Sequence, residues 1–169
     1  QLESSGMKNA IKQLKPSCFN DVVALLALFR PGPMASIPIY AKRKEGKEKP
    51  TYISDDLKDI LKETYGIIVY QEQIIQIARK MANFSLAKAD NFRNAISKKN
   101  VKEIEQVKND FIQGSINNGY TLKTATNVYE HILKFANYGF NKSHSVGYSM
   151  IACQMGYLKA NYPLEFYAS

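Results

Sequence analysis

Tyr138-Gly139-Phe140-Asn141-Lys142-Ser143-His144-Ser145 opens a run that carries no charge from Ser145 to Leu158. Asn141 or Ser143 can cap a helix start, and the run after Ser145 continues it, so this stretch reads as a long helix from about Ser143 to Ala160. Free backbone N–H groups and Lys142 would then point at one spot, and that spot suits a phosphate. His144 and Tyr148 lie one helical turn apart on a shared face, where they can touch the phosphate or its sugar. Taken alone, the same residues also fit an ordinary Ser143 cap, a solvated Lys142 and a satisfied core histidine. Small residues at Ser145, Gly147, Ser149, Ala152 and Gly156 let a second helix or a ligand approach the backbone closely.

With 169 residues, 45% hydrophobic and 22% charged, the chain supports one good core or two lobes and is not disordered. A formal net charge of +8 favours a polyanionic partner such as nucleic acid or nucleotide. Cys18 and Cys153 stand far apart in no ligand-spaced cluster. A disulfide framework and a zinc site both lack support, and buried, reduced thiols in a cytosolic protein are expected. No signal peptide is visible, and the start Gln1-Leu2-Glu3-Ser4-Ser5 without an initiator Met points to a piece of a longer chain. The apolar run Val22 to Phe29 is too short to cross a bilayer, and the run after Ser145 is interrupted by Gly147, Gln154 and Gly156. Both are expected as buried helices, with no membrane partner.

Met7, Ala10, Ile11 and Leu14 predict an amphipathic helix closed by Pro16. A second helix, apolar nearly all round and so central, is expected from a cap at Asn20 or Asp21 to the stiff corner Arg30-Pro31-Gly32-Pro33. Pro33 suits the first turn of the helix that follows through Met34 and Tyr40. Arg30 either meets phosphate or bonds the last carbonyls of its own helix. Lys42 to Pro50 reads as a charged surface loop, with attraction to a nucleic-acid backbone as the alternative. Asp55, Asp59 and Glu63 would line one helix face, solvated rather than metal-binding because Lys58 and Lys62 interleave. Gly66 to Tyr70 is a short extended piece leading into a helix with Ile74, Ile77, Ala78 and Met81 inward. Ser85 caps a helix from Leu86 to Ile96, followed by a basic pair at Lys98-Lys99. Two more amphipathic helices follow: one with Val101, Ile104, Val107 and Phe111 inward, the next with Leu122, Ala125, Tyr129, Ile132, Leu133 and Ala136. Pro163 breaks the long helix, and Leu164 to Ala168 begins another. The sum is an all-α fold of eight to ten helices.

Several of these stretches, taken in order, resemble one family. They are Gln1-Leu2-Glu3-Ser4-Ser5-Gly6-Met7, Leu28-Phe29-Arg30-Pro31-Gly32-Pro33-Met34, Gly66 to Tyr70 with Gln71-Glu72-Gln73, Ala89-Asp90-Asn91-Phe92-Arg93 with Lys98-Lys99, and Tyr138 to Ser145. The family is the alpha subunit of bacterial DNA polymerase III, the C-family replicative polymerases. The resemblance implies that residues 1–169 are a fragment of the multi-helix fingers region, with the palm and other polymerase domains absent. In that family the palm holds the catalytic carboxylates and the divalent metal (Mg) ions. No catalytic or metal-ligating residue and no cofactor is therefore expected in this stretch, which should be inactive alone. The fingers bind the triphosphate of the incoming deoxynucleotide and close over the DNA template-primer. Further partners implied are the remaining domains of the same chain and, through the full-length subunit, replisome proteins, all in the cytoplasm.

Carried over by position, Arg93, Lys142 and His144 look like triphosphate contacts, with Lys98, Lys99 and Tyr148 as further candidates for phosphate or nucleotide. Many relatives have a second arginine where Asn94 stands here, which shifts the grip toward Arg93 and the lysines. The chemistry is consistent: nucleotidyl transfer builds negative charge on the leaving pyrophosphate, which fixed cations stabilise better than mobile water. A protonated His144 would donate a proton to that pyrophosphate. The alternatives are a basic all-α DNA-binding module without a nucleotide pocket, and a helical interaction scaffold whose basic residues are merely solvated.

Overall fold

The computed structural model describes residues 2–98, 101–136 and 138–168. Along them run ten α-helices: α1 (Ser5–Leu14), α2 (Phe19–Leu28), α3 (Ile37–Lys44), α4 (Lys58–Leu61), α5 (Gln71–Ala82), α6 (Leu86–Lys98), α7 (Val101–Asn117), α8 (Leu122–Ala136), α9 (Lys142–Asn161) and α10 (Pro163–Ala168). The described residues hold no β-strand, only an isolated parallel bridge between Tyr70 and Phe140. Their buried apolar side chains form two cores. The first gathers α1, α2, α3 with Ile67, Val69 and Tyr70, and the second gathers α4 to α8 with Ile68.

In the first core α1 buries Met7, Ala10 and Leu14, the phase its periodicity predicts, and Ser4 Oγ caps it by accepting from Met7 N at 3.2 Å. Helix α2 begins at Phe19, before the expected cap at Asn20 or Asp21. Asp21 lies inside the first turn and reaches back, accepting from Ser17 N at 2.8 Å and Cys18 N at 3.3 Å, so its carboxylate closes the helix start from within. Val23 to Leu28 are buried, which makes α2 the central rod of this core. The Arg30-Pro31-Gly32-Pro33 corner turns into a short 3-10 segment, Pro33–Ser36, before α3. Helix α3 runs on to Lys44 rather than giving way to a loop at Lys42. Lys44 Nζ anchors that last turn, bonding Lys15 O at 2.6 Å and facing Asp21 Oδ2 at 3.4 Å.

Asp55, Asp59 and Glu63 do not share the single helix face expected of them. Tighter 3-10 turns at Asp55–Leu57 and Lys62–Thr64 flank the four-residue α4. Each 3-10 residue turns by about 120° instead of about 100°, so the four-residue spacing no longer aligns side chains. Asp59 pairs with Lys62, whereas Glu63 points elsewhere. Helices α5 and α6 form a hairpin with Ser85 Oγ accepting from Lys88 N at 3.2 Å. In the second core the Phe92 and Phe111 rings stack at 5.2 Å, with Tyr129 against both. Leu122, expected inward, is exposed because it opens α8 before the helix reaches the core. The side chains of Val101 and Ala136, also expected inward, lie outside the described residues.

Helix α9 packs on α2 through its small residues. Ser145 and Ser149 are buried, and Ser145 Oγ donates to Val23 O at 2.7 Å. The expectation of a buried helix holds only on that face. Met150, Ile151, Met155, Tyr157 and Leu158 are exposed, and the space around Gly147 and Gly156 is open. The absence of charge along α9 therefore marks an apolar surface rather than a core position. Cys18 and Cys153, expected buried, are free and exposed. Among the described residues no helix is long and apolar enough to cross a membrane.

Candidate functional site

The start of α9 is held in place by residues far away in sequence. Arg30, just past the end of α2, bonds Ala27 O through Nε at 3.0 Å and Tyr138 O through Nη2 at 2.6 Å. Its guanidinium also lies over the Phe140 ring at 4.4 Å. Of the two sequence alternatives for Arg30, the bond to its own helix end is the one the structure holds, and its other contact is the Tyr138 peptide carbonyl. Gly32 has φ +98°, and a Cβ there would stand 2.6 Å from the Tyr138 ring, so only glycine lets Tyr138 cross this corner. On the other side, Phe140 N donates to Val69 O at 3.1 Å and Gln71 N donates to Phe140 O at 3.0 Å. Gln73, buried, fixes that second edge by accepting from Val69 N at 2.8 Å and Tyr70 N at 3.0 Å while donating to Thr64 Oγ1 at 2.8 Å.

This bracket delivers Asn141, which caps α9 by accepting from His144 N at 2.8 Å. Of the expected residues, His144 and Tyr148 meet on one face, whereas Lys142, two positions before His144 and so about 200° round the helix, meets Tyr70 and Glu63. The His144 ring lies 4.6 Å from that of Tyr148 and 5.5 Å from that of Phe140, and the Lys142 amine stands 5.3 Å from the Tyr70 ring centroid. His144 and Tyr148 are both exposed, which rules out a satisfied core histidine.

The helix start is not a set of free N–H groups, however. Glu72, in the first turn of α5, accepts from Lys142 N with both oxygens, at 3.0 and 3.1 Å, while Asn141 takes His144 N. A carboxylate placed between the starts of α5 and α9 meets the positive ends of two helix dipoles, which explains its position. Glu63 Oε2 pairs with Lys142 Nζ at 2.7 Å, each side chain about one-third exposed at 36%. Burial first, and then the charges of Glu63 and Glu72, push the Tyr70 hydroxyl's pKa up, so Tyr70 stays a neutral donor beside this cluster. Sequence reading missed Glu63, Glu72 and Tyr70. The only local signal was Glu72 in the acid-favouring first turn of α5.

Arg93 occupies α6 and bonds Asp90 on its own helix, Nη2 to Oδ1 at 2.7 Å; Asn94 bonds the other oxygen of Asp90 at 3.1 Å. Asp90 thus holds both Arg93 and Asn94. Helix α6, which carries Arg93, packs against α5, whose first turn carries the Glu72 that meets Lys142 N. Lys98 ends α6, but its side chain lies outside the described residues, as does Lys99 altogether. Among the described residues no group of three or more His, Cys, Asp or Glu is placed to hold a metal ion.

Fold and site together describe an all-helical domain that displays one lysine, one histidine and a tyrosine at the start of its longest described helix. Residues 1–119 match the family described as bacterial DNA polymerase III alpha subunit finger domain, and the chain belongs to that family. Over its whole length it is 56% identical to the DNA polymerase III subunit alpha of Halalkalibacterium halodurans, of which it covers 15%. It is 53% identical over 166 residues to that of Bacillus subtilis, covering 98% of this chain and 15% of the relative. With that of Aquifex aeolicus it shares 49% over 170 residues, covering 99% of this chain and 15% of the relative. The chain spans about 15% of the length of these curated relatives.

Proposed function

We propose that this finger domain binds the triphosphate of an incoming deoxynucleotide and closes over the DNA template-primer while palm carboxylates elsewhere in the full polypeptide catalyse nucleotidyl transfer. The observation that carries the reading is that the first two turns of α9 hold Lys142 and the exposed pair His144 and Tyr148, in a chain of this family. Lys142 supplies the point charge for a phosphate oxygen, and the guanidinium of Arg93 is assigned a second. The exposed His144 ring is assigned to hydrogen bonding at the departing pyrophosphate, and Tyr148 to the sugar. Lys98 and Lys99 are assigned as further contacts for phosphate or nucleotide. Fixed cations of this kind act on charge that grows as the bond to the α-phosphate breaks.

The divalent metal that nucleotidyl transfer implies finds no ligand set among the described residues. DNA, deoxynucleoside triphosphates, the other domains of the same chain and, through them, further replication proteins are the partners of this reading.

The test is steady-state incorporation by the full-length polymerase carrying Lys142→Ala or Arg93→Ala. Loss of a charge-assisted contact, about 1.5–3 kcal/mol, predicts a rise of roughly 10- to 100-fold in KM for the nucleotide. Unchanged KM in both variants would refute the assignment. If Lys142→Ala instead weakened DNA binding and lowered its salt dependence, the basic DNA-binding module suggested by the net charge of +8 would be the better reading.

A further inference from the structure

Lys142 is the one residue of the cluster whose main-chain and side-chain nitrogens both already meet carboxylates. Glu63 Oε2 lies 2.7 Å from its Nζ, and both oxygens of Glu72 lie within 3.1 Å of its N. Those are the distances and the atoms a phosphate would use: two oxygens on a helix-start N–H and one on the amine. The two carboxylates arrive from separate elements. Glu63 comes from the 3-10 turn after α4 and Glu72 from the first turn of α5, and both stand close enough to Tyr70 to raise its pKa by their charge. The pair at Lys142 Nζ is about one-third exposed on each side, so it is open to exchange from solvent.

We propose that Glu63 and Glu72 are affinity-setting residues that compete with the nucleotide's phosphates for Lys142. A triphosphate reaching Lys142 competes with Glu63 for the N–H donors of Nζ and with Glu72 for the main-chain N–H. The same carboxylates recapture Lys142 as pyrophosphate departs, so the site trades affinity for release. Glu72 is the more firmly placed of the two, because two helix starts favour its charge. Glu63 is the exchangeable one. This rests on the reading of Lys142 as a phosphate contact, and the variants below separate the two.

In the full-length polymerase, Glu63→Gln keeps size and polarity but removes the charge. An exposed pair of this kind contributes up to about 1 kcal/mol, which corresponds to about fivefold. The expected result is a two- to fivefold fall in nucleotide KM for Glu63→Gln, and no further change when the same substitution is made in a Lys142→Ala background. Glu72→Gln, whose amide oxygen still accepts from Lys142 N, should also lower KM and serves if Glu63→Gln proves poorly folded by thermal unfolding. An unchanged or raised KM in both glutamine variants would overturn the proposal while Lys142→Ala, by raising KM, would leave the phosphate reading standing. An equal fall with and without Lys142 would overturn it too, since the effect would then be general charge rather than competition at that amine. A Lys142→Ala variant with wild-type KM would remove the phosphate reading itself and this proposal with it.

Discussion

Arg30 is the bracket on which the site's geometry depends, and replacing it by methionine tests that directly. Methionine keeps an unbranched apolar stem but loses the bonds to Ala27 O and Tyr138 O and the stacking over Phe140. Hydrogen bonds to a charged donor contribute roughly 1.5–3 kcal/mol when buried, and the half-buried setting of Arg30 favours the lower end. Stacking on an aromatic ring adds about 0.5–1 kcal/mol at such a site. Because the three contacts share one guanidinium they are not additive, and a loss of about 2–4 kcal/mol is expected. At about 2–4 °C per kcal/mol for a chain of this size, the unfolding midpoint should fall by roughly 4–16 °C. Thermal and urea unfolding measure this. Hydrogen exchange adds a local readout, because the amides of Phe140 and Gln71, bonded across the Tyr70–Phe140 bridge, should lose protection first. Arg30→Lys should recover less than half the loss, since an ammonium offers neither the planar fork nor the stacking face. A midpoint within about 1 °C of the parent for Arg30→Met, with unchanged exchange at Phe140 and Gln71, would refute the bracket.

Two further predictions concern the same framework. Gly32→Ala should destabilise the chain by about 2 kcal/mol or more, from positive φ and the Tyr138 ring together, and a second substitution Tyr138→Ala should restore the part due to the ring; no loss in urea unfolding of Gly32→Ala would contradict this. Asp21 titrates below the ordinary carboxylate range. Burial raises its pKa, but the bonds from Ser17 N and Oγ and the charge of Lys44 outweigh it. A lowered folded-state pKa means that its stabilisation is complete above the unfolded value of about 3.9 and is lost as pH falls through the folded value. Asp21→Asn should therefore flatten the acid limb of the stability curve, and an unaltered limb between neutral pH and pH of about 2 would count against it.

The helices were legible because burial has a phase. Met7, Ala10 and Leu14, and again Ile74, Ile77, Ala78 and Met81, repeat at helical spacing and are all buried. Where a neighbour in space decided the outcome, local pattern misled. Asp21 looked like a cap and works three residues inside the helix, because a carboxylate can reach back to Ser17 and Cys18. Asp55, Asp59 and Glu63 looked like one face until 3-10 turns rotated them apart. The uncharged run of α9 resembled a core element, yet absence of charge does not reveal which sides are covered, and Met150, Ile151 and Met155 are exposed.

The site was half legible for the same reason. Asn141, Lys142, His144 and Tyr148 sit within two turns of one helix, and the i, i+4 spacing of His144 and Tyr148 gives their shared face. The residues that decide its electrostatics do not. Glu63 stands 79 positions from Lys142, Glu72 stands 70 away, and Arg30 stands 108 from Tyr138, distances over which single-residue patterns carry no information. The notion of bare N–H groups awaiting a phosphate failed because a helix start attracts whichever anion is at hand, and the protein supplies Glu72.

A structure of the full-length polymerase with template-primer and a non-hydrolysable deoxynucleoside triphosphate decides whether Lys142 takes phosphate. A phosphate oxygen is expected at about 3 Å from Lys142 Nζ, with Glu63 displaced from that amine and Arg93 turned toward the same triphosphate. A triphosphate bound elsewhere, with Lys142 still paired to Glu63 and Arg93 still on Asp90, would contradict it.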